Sequence, residues 1–476
     1  MLGTISLRRA GLTQDSIWGD KSNTLVYAQV LSTPYPYGRA IIFRFYRNPQ
    51  HSPKSLANRV VSCYHNTNVH DDTLSFRDRD AMRSAIWSSI ATIWHRCAKD
   101  LHVYTPGTVI DLSSDDSDGL VWCAYRSPLF DQYLDLLRHI QKSDLVPRTS
   151  RSTTMDVTKI TLLEPMGGRG CAKRANVYGL WNQEYFFFKG VDFATYLQHH
   201  DDENELIRAV VETWRRSSKL IANMPPHPNI QPPAEILVSI DDSKGEKVLM
   251  GHLSTFLDLR DLASLIEKQN LAGKQISLRE KVKWCHQMSL VVAHTHRSLH
   301  TFHMDIQPGN FLVDSERNLV LIDWEQSGTS TTTLAPEADG TWDVNEEPTT
   351  KDTRLVYTKY TGPPRRNMPK DGGTATFQAW NVFPEWQATL HRATELAEVF
   401  ALGRTMWMVL TQTVDGFDEV KHPNDVRVTW DSENDIPKNW IETVNRCMAE
   451  DPNERPNVED LVKFWYVEQT LMTCNA

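Results

Sequence analysis

No run of this chain approaches the roughly 18 consecutive apolar residues that a membrane-spanning helix needs, so no span is expected. Its start, Met1-Leu2-Gly3-Thr4, lacks the apolar stretch of a secretory leader. No internal repeat of the kind that builds solenoids or propellers is visible. Cysteine is sparse: seven residues, at 63, 97, 123, 171, 285, 447 and 474, with no Cys-x-x-Cys pair. That excludes a disulfide framework and a zinc ribbon, and it fits a reducing compartment, cytoplasmic or nuclear. Positive charge is also short, with 51 Lys and Arg against 60 Asp and Glu and a formal net charge of -9. Charge-driven binding to nucleic acid or to an acidic membrane is thereby disfavoured, whereas a phosphate held by a few local groups is not.

What is present is enough apolar sequence to build more than one core. The chain has 476 residues, 40% apolar and 23% charged, which points to two or three domains. Leu25-Val26-Tyr27 and Ile41-Ile42-Phe43 flank a turn-rich stretch with Pro34, Pro36 and Gly38 and read as a hairpin. Met82, Ile86, Ile90, Ile93 and Trp94 recur at helical spacing over 79–99, and a second helix is expected over about 128–141. Residues 146–155 read as a linker. Beyond it, Ile160-Thr161-Leu162-Leu163, Val177-Tyr178-Gly179-Leu180 and Tyr185-Phe186-Phe187-Phe188 read as short strands, followed by a helix over about 203–223. From Leu278 the chain reads as mostly helical except for 327–380, rich in Thr, Pro and Gly. Cys63, His65, His70, His95 and Cys97 match no zinc spacing. The acidic run Asp111 to Asp118 has no calcium-loop spacing and reads as a solvated loop.

The chemistry is concentrated in His303-Met304-Asp305-Ile306-Gln307-Pro308-Gly309-Asn310. This stretch follows an amphipathic helix, Lys281 to Arg297, and precedes the apolar run Phe311-Leu312-Val313. A second apolar run, Leu319 to Ile322, leads into Asp323-Trp324-Glu325. Asp305, Asn310 and Asp323 stand at separations of 5 and 13 (310 − 305; 323 − 310). A carboxylate that orients a hydroxyl, with a second carboxylate and an amide oxygen that hold Mg²⁺ on phosphates, is what phosphoryl transfer requires.

This pattern resembles the catalytic and metal-binding loops of the protein kinase superfamily, and the wording around it resembles a divergent group of fungal protein-kinase-like proteins. His227-Pro228-Asn229-Ile230 is similar to the family's turn after the N-lobe helix, and Ala397 to Gly403 and Asp451 to Pro456 are similar to its later landmarks. The resemblance implies an α+β, bilobal protein-kinase-like fold, with a β-rich N-lobe over 156–257 and a helical C-lobe over 258–467. An N-terminal α+β extension over 1–145 and a tail over 468–476 complete it. It implies ATP and Mg²⁺ as cofactors, a protein substrate, and a Ser/Thr-type kinase. Asp305, Gln307 and Asn310 would be catalytic, and Asn310 and Asp323 would hold the metal. Lys189 resembles the lysine that holds the α- and β-phosphates, Val177 the valine over the base, and Gly170 and Ala172 part of the phosphate loop. Glu212 is the nearest acid on the following helix to serve as the ion-pair partner of Lys189. Glu398 stands where an Asp usually anchors the catalytic loop.

The departures from the family define the alternative. Gln307 replaces the catalytic-loop lysine, Met304 an arginine and Glu325 a glycine, and of the phosphate-loop glycines only Gly170 stands. A pseudokinase scaffold with weak or no phosphotransfer is the second reading. Two positions compete to pair with Arg455 and close the activation segment. Ala335-Pro336-Glu337 has the family's literal sequence. Phe383-Pro384-Glu385 has the better spacing, 13 residues before Glu398 and 70 before Arg455 (398 − 385; 455 − 385), and is preferred. The activation segment would then extend over 326–383.

Overall fold

The computed structural model describes residues 12–474 apart from 20–22, 31–39, 48–49, 51, 65–75, 101–105, 115–119, 148–151, 167–170, 178–184, 201–203, 257–260, 327–328, 349–352, 363–382, 415, 418–419 and 432–434. The chain is α+β and divides into two compact units, residues 1–215 with 233–256 and residues 216–232 with 257–476.

The first unit is rich in strands. Its five-stranded sheet runs in chain order, β1 (Leu12–Gly19), β2 (Asn23–Val30), β3 (Ala40–Tyr46), β4 (Thr108–Ser114) and β5 (Leu120–Arg126). The expected hairpin is β2–β3, in which Tyr27 faces Ile42. Strand β4 runs parallel to β3, which needs a crossover. Helices α1 (Leu56–Tyr64) and α2 (Phe76–Cys97) supply it. Alternation along β3 and β4 turns Phe43, Phe45, Ile110 and Leu112 into one core with Trp87, Ile90 and Trp94 of α2.

Helices α3 (Leu129–Leu137) and α4 (Lys142–Leu145) follow, then the six-stranded sheet, in the order β6-β10-β11-β9-β8-β7. Its strands are β6 (Thr153–Asp156), β7 (Ile160–Pro165), β8 (Ala172–Val177), β9 (Tyr185–Gly190), β10 (Ile236–Asp241) and β11 (Lys247–Thr255). Part of the expected linker is therefore sheet, since β6 pairs with β10. Between β9 and β10 lie α5 (Phe193–His199) and α6 (Glu205–Asn223). Leu25, Ile42 and Val109 of the first sheet, Tyr133 and Leu137 of α3, and Phe188 of β9 with Tyr196 of α5 share one buried cluster. The Tyr133 hydroxyl donates to the Val191 carbonyl at 2.8 Å inside it. The N-terminal residues are thus part of the first unit's core.

The second unit is mostly helical: α7 (Leu262–Leu271), α8 (Leu278–Ser298), the hairpins β12 (Phe311–Val313) with β13 (Leu319–Leu321) and β14 (Trp342–Pro348) with β15 (Thr353–Lys359), and then α9 (Phe383–Thr389), α10 (His391–Thr411), α11 (Lys438–Cys447) and α12 (Val458–Cys474). Ser277 starts α8 by accepting the Glu280 amide, and its hydroxyl bonds back to the Glu280 carboxylate. Helix α10 is buried on almost every side, as a helix apolar all round must be. The residues expected to be a tail belong to α12, which runs to Cys474.

Candidate functional site

Helix α10 positions the loop between α8 and β12. The Glu398 carboxylate, buried, accepts the amides of His303 at 2.7 Å and Met304 at 2.9 Å through one oxygen, and pairs with His296 Nε2 through the other. Burial alone would raise this carboxyl. The His296 bond and charge, the Met304 amide and the His303 charge outweigh burial and hold it below the usual range. About two helical turns further on, the Thr405 hydroxyl donates to the Ile306 carbonyl at 3.0 Å. Glu398 thus anchors the loop where the sequence placed it.

Within the loop, three of the expected residues meet. Asn310 Nδ2 donates to the Asp305 carbonyl at 2.7 Å and to its carboxylate at 2.9 Å, and Gln307 Nε2 donates to the same carboxylate oxygen at 2.9 Å. Ile322 precedes Asp323 and is tied to this loop twice. Its carbonyl accepts from His303 Nε2 at 2.8 Å and its amide donates to the Asn310 carbonyl at 2.9 Å. Asp323 and Met304 both have φ in the left-handed region, 64° and 70°. Each costs a non-glycine residue about 1–2 kcal/mol and persists only where the surroundings over-determine it. For Met304 the surroundings are Phe302, Leu334, Ala335 and Trp386, with which it forms a buried cluster. Trp324 is buried edge-on to His303 at 4.6 Å.

The chain after Asp323 folds back over the loop. Arg216 donates to the Glu325 carbonyl at 3.1 Å, Gln326 to Phe302 and Thr301, and Thr329 to the Met304 carbonyl. The Ser330 amide donates to the second Asp305 oxygen at 2.9 Å. Burial raises the Asp305 carboxyl above the usual range against the pull of the Ser330 amide, His303, Asn310 and Gln307. The sequence reading missed Arg216, Gln326, Thr329 and Ser330. The literal Ala-Pro-Glu, just downstream of Ser330, was the available signal.

That signal also corrects the preferred partner of Arg455. Glu337 is buried and takes both Arg455 nitrogens, at 2.5 and 3.0 Å, while Glu385 is exposed on α9. The inserted chain, with its β14–β15 hairpin, lies after Glu337 and not before it. The segment from Asp323 to its closing glutamate is therefore short.

The donor types suit Mg²⁺. The Asn310 amide nitrogen faces two Asp305 acceptors, which turns its oxygen away from Asp305. An amide oxygen and a carboxylate such as that of Asp323 are the kinds of ligand Mg²⁺ takes.

In the first unit, Lys189 is buried on β9, with Ala172 opposite it on β8 and His252 on β11. Val177, expected over the base, is five positions along β8 from Ala172, an odd number. It therefore points to the other face of the sheet, into the core with Phe188. Glu212 is half-exposed and chelates Arg215 at 2.6 and 2.9 Å. Ile207, Val210, Val211 and Trp214 form the inward stripe of α6, and 212 falls outside it. The helix residue over the lysine's neighbour is Trp214, stacked on His252. Gly170 lies outside the described residues.

Burial, and then the Lys189 charge, push His252 from 6.5 down to about 3. Its Nδ1 has no hydrogen-bond partner among the described residues. Below pH 6.5 the unfolded chain takes up a proton that the folded chain refuses. This stability is complete above that pH and is lost as pH falls, at up to about 1.4 kcal/mol per unit. Urea denaturation of the first unit's transition is expected to show a loss of about 2 kcal/mol between pH 7 and 5. The loss should be absent in His252→Phe, and a wild type with no such difference would refute the assignment.

No protein-family model matches the chain. Mitogen-activated protein kinase kinase kinase 7 of Homo sapiens and its counterpart in Bos taurus are each 30% identical to it over 106 residues, 21% of this chain and 16% and 17% of theirs. The matched part spans about a sixth of those relatives. The similarity is weak and partial, and it points to a kinase-like relationship. No described helix is long and apolar enough to cross a membrane.

Proposed function

We propose that the chain is an ATP- and Mg²⁺-dependent protein kinase of the Ser/Thr type, slow because of Gln307. The observation that carries this is the bonding of Asp305 to Asn310 on a loop anchored by Glu398, with the chain just before Asp323 tied to the same loop through Ile322. In this reading Asp305 orients the acceptor hydroxyl and takes its proton. Asn310 and Asp323 would hold Mg²⁺, which would supply positive charge to offset that of the phosphates, and Lys189 would supply a second cation for them. Gln307 keeps the hydrogen bond to Asp305 but brings no charge to the transition state. The kinase 7 similarity and the resemblance to fungal kinase-like proteins support the same class.

The second reading, a pseudokinase scaffold, is favoured by one feature. Among the described residues, the donors to the Asp305 carboxylate are all neutral, from Gln307, Asn310 and Ser330. The Gln307→Lys variant separates the two. Restoring a cation beside a charged transition state is worth on the order of 10² in rate. The purified chain, assayed for Mg-dependent transfer of γ-phosphate to itself and to a general protein substrate, is expected to gain that factor. No transfer by either form above an Asp305→Ala background would refute the kinase reading.

A further inference from the structure

The β14–β15 hairpin lies wholly within the second unit and leaves one strand edge open. The Tyr360 amide donates to the Thr341 carbonyl at 3.0 Å, and the ladder sets Val344 opposite Tyr357 and Glu346 opposite Leu355. Bonded and non-bonded positions alternate along an antiparallel pair. Counted from Thr341, the backbone groups of Asp343, Asn345 and Glu347 turn inward to β15, and those of Val344 and Glu346 turn outward. Leu355 has the same phase as Glu346 and shows it: its amide donates to Asn453 Oδ1 at 2.9 Å and its carbonyl accepts from Asn453 Nδ2 at 3.0 Å. The β15 edge is thus occupied at its middle. On the β14 edge, nothing among the described residues bonds the outward N–H or C=O of Val344 or Glu346. Such an edge is a template for another strand.

The strand is fixed in place from one face. Val344 and Leu355 are buried with Met304 and Trp386, and the Glu346 carboxylate accepts the Arg392 and Ala393 amides at the start of α10, at 2.8 and 3.1 Å. The other face of β14 presents Asp343, Asn345 and Glu347, the last two exposed. Strand β14 carries three carboxylates, Asp343, Glu346 and Glu347, and no cation, while Arg354 and Lys359 lie on β15. Edge-to-edge pairing with a second copy would set carboxylates against carboxylates, which disfavours it. A basic strand meets them favourably. The added strand would share one face with Val344 and Trp342 and the other with Asp343 and Glu347, so alternating apolar and basic residues suit both.

We infer that the β14 edge is a docking site for an extended protein segment of alternating basic and apolar residues, bound by strand addition. The inference goes beyond the kinase reading and does not rest on it, since an enzyme and a scaffold would hold such a segment equally.

The test uses the full chain and a capped Lys-Val-Lys-Val-Lys-Val peptide, followed by fluorescence polarisation and by residue-resolved hydrogen exchange. The peptide is expected to slow exchange of the Val344 and Glu346 amides and to leave those of Asn345 and Glu347, already bonded to β15, unchanged. The counterpart with Glu in place of Lys should bind about tenfold or more weakly. A strand-added peptide bonds through every second residue. Methylating the backbone nitrogens of either the lysines or the valines should therefore weaken binding about tenfold or more, and methylating the other set should not. Glu347→Lys, folded as judged by its melting, should bind the basic peptide about threefold or more weakly than the wild type. Four results would overturn the inference: no slowing at Val344 and Glu346, an acidic peptide bound as well as the basic one, both methylated peptides bound like the parent, or protection of these two amides that grows with protein concentration in the absence of peptide, which would make a second copy the occupant.

Discussion

Asp305→Asn is expected to reduce phosphate transfer by about two to four orders of magnitude, the contribution of a positioned general base, with the protein still folded and destabilised by no more than about 1–3 kcal/mol, the cost of one stranded donor. The substitution keeps the shape of the side chain and one oxygen acceptor. Its oxygen can keep the Gln307 and Asn310 donors, the Ser330 amide then faces the new NH2 group and loses its acceptor, and the Glu398 anchor beneath the loop is untouched. What is lost is the proton acceptor. In the proposed reaction the same carboxyl should set the acid limb of the rate profile. Burial holds it above the usual carboxylate range, so transfer should fall as pH drops through that raised value, because the protonated acid cannot accept the substrate proton. The measurement is Mg-dependent transfer against pH, with circular dichroism and melting to confirm the fold. An Asp305→Asn protein as active as the wild type would remove Asp305 from the chemistry, whatever else the loop does.

The loop was legible because its contacts are local. His303, Asp305, Gln307, Asn310 and Ile322 are bonded to one another across a single helix-to-hairpin connection. Sequence spacing there translates directly into distance in space. The Glu398 anchor was legible for a related reason, since α10 is rigid and its register sets where the carboxylate arrives. Val177 failed through parity: the alternation of a strand sends a residue an odd number of positions from Ala172 to the opposite face. Glu212 failed because helix phase turns it outward, where Arg215 lies within reach on the same helix. The five-stranded sheet could be seen only as one hairpin. Its β3–β4 pair is parallel and joined by two helices, and such non-local pairing leaves no short-range pattern. The shared core of Tyr133, Phe188 and Tyr196 was invisible for the same reason.

Breaking the Glu337–Arg455 pair is the second large effect, and it decides which glutamate closes the segment after Asp323. The Arg455 guanidinium is fully buried and Glu337 is 8% exposed. The remaining Arg455 donors go to the Ala449 and Leu396 carbonyls, each at 3.0 Å. Its charge also lies 4.9 Å from the Phe400 ring centre. Glu337→Ala leaves that guanidinium buried without its counter-charge, a situation that costs about 3–5 kcal/mol, or about 10 °C in the second unit's melting temperature. Glu385→Ala removes an exposed side chain and should stay within about 0.5 kcal/mol. Most of the Glu337 cost arises from stranding a charge. A Glu337→Met, Arg455→Met double variant should therefore recover much of the stability lost by either single variant. Stability and activity should then part company. Leu334 and Ala335 pack on Met304 immediately upstream of Glu337, and Ser330 reaches Asp305 from the same strap. A double variant that melts normally keeps this apolar packing and should keep transfer, whereas Glu337→Ala should lose both. If Glu385→Ala destabilised the chain as much as Glu337→Ala, the spacing argument would have been right and the geometry of this segment wrong.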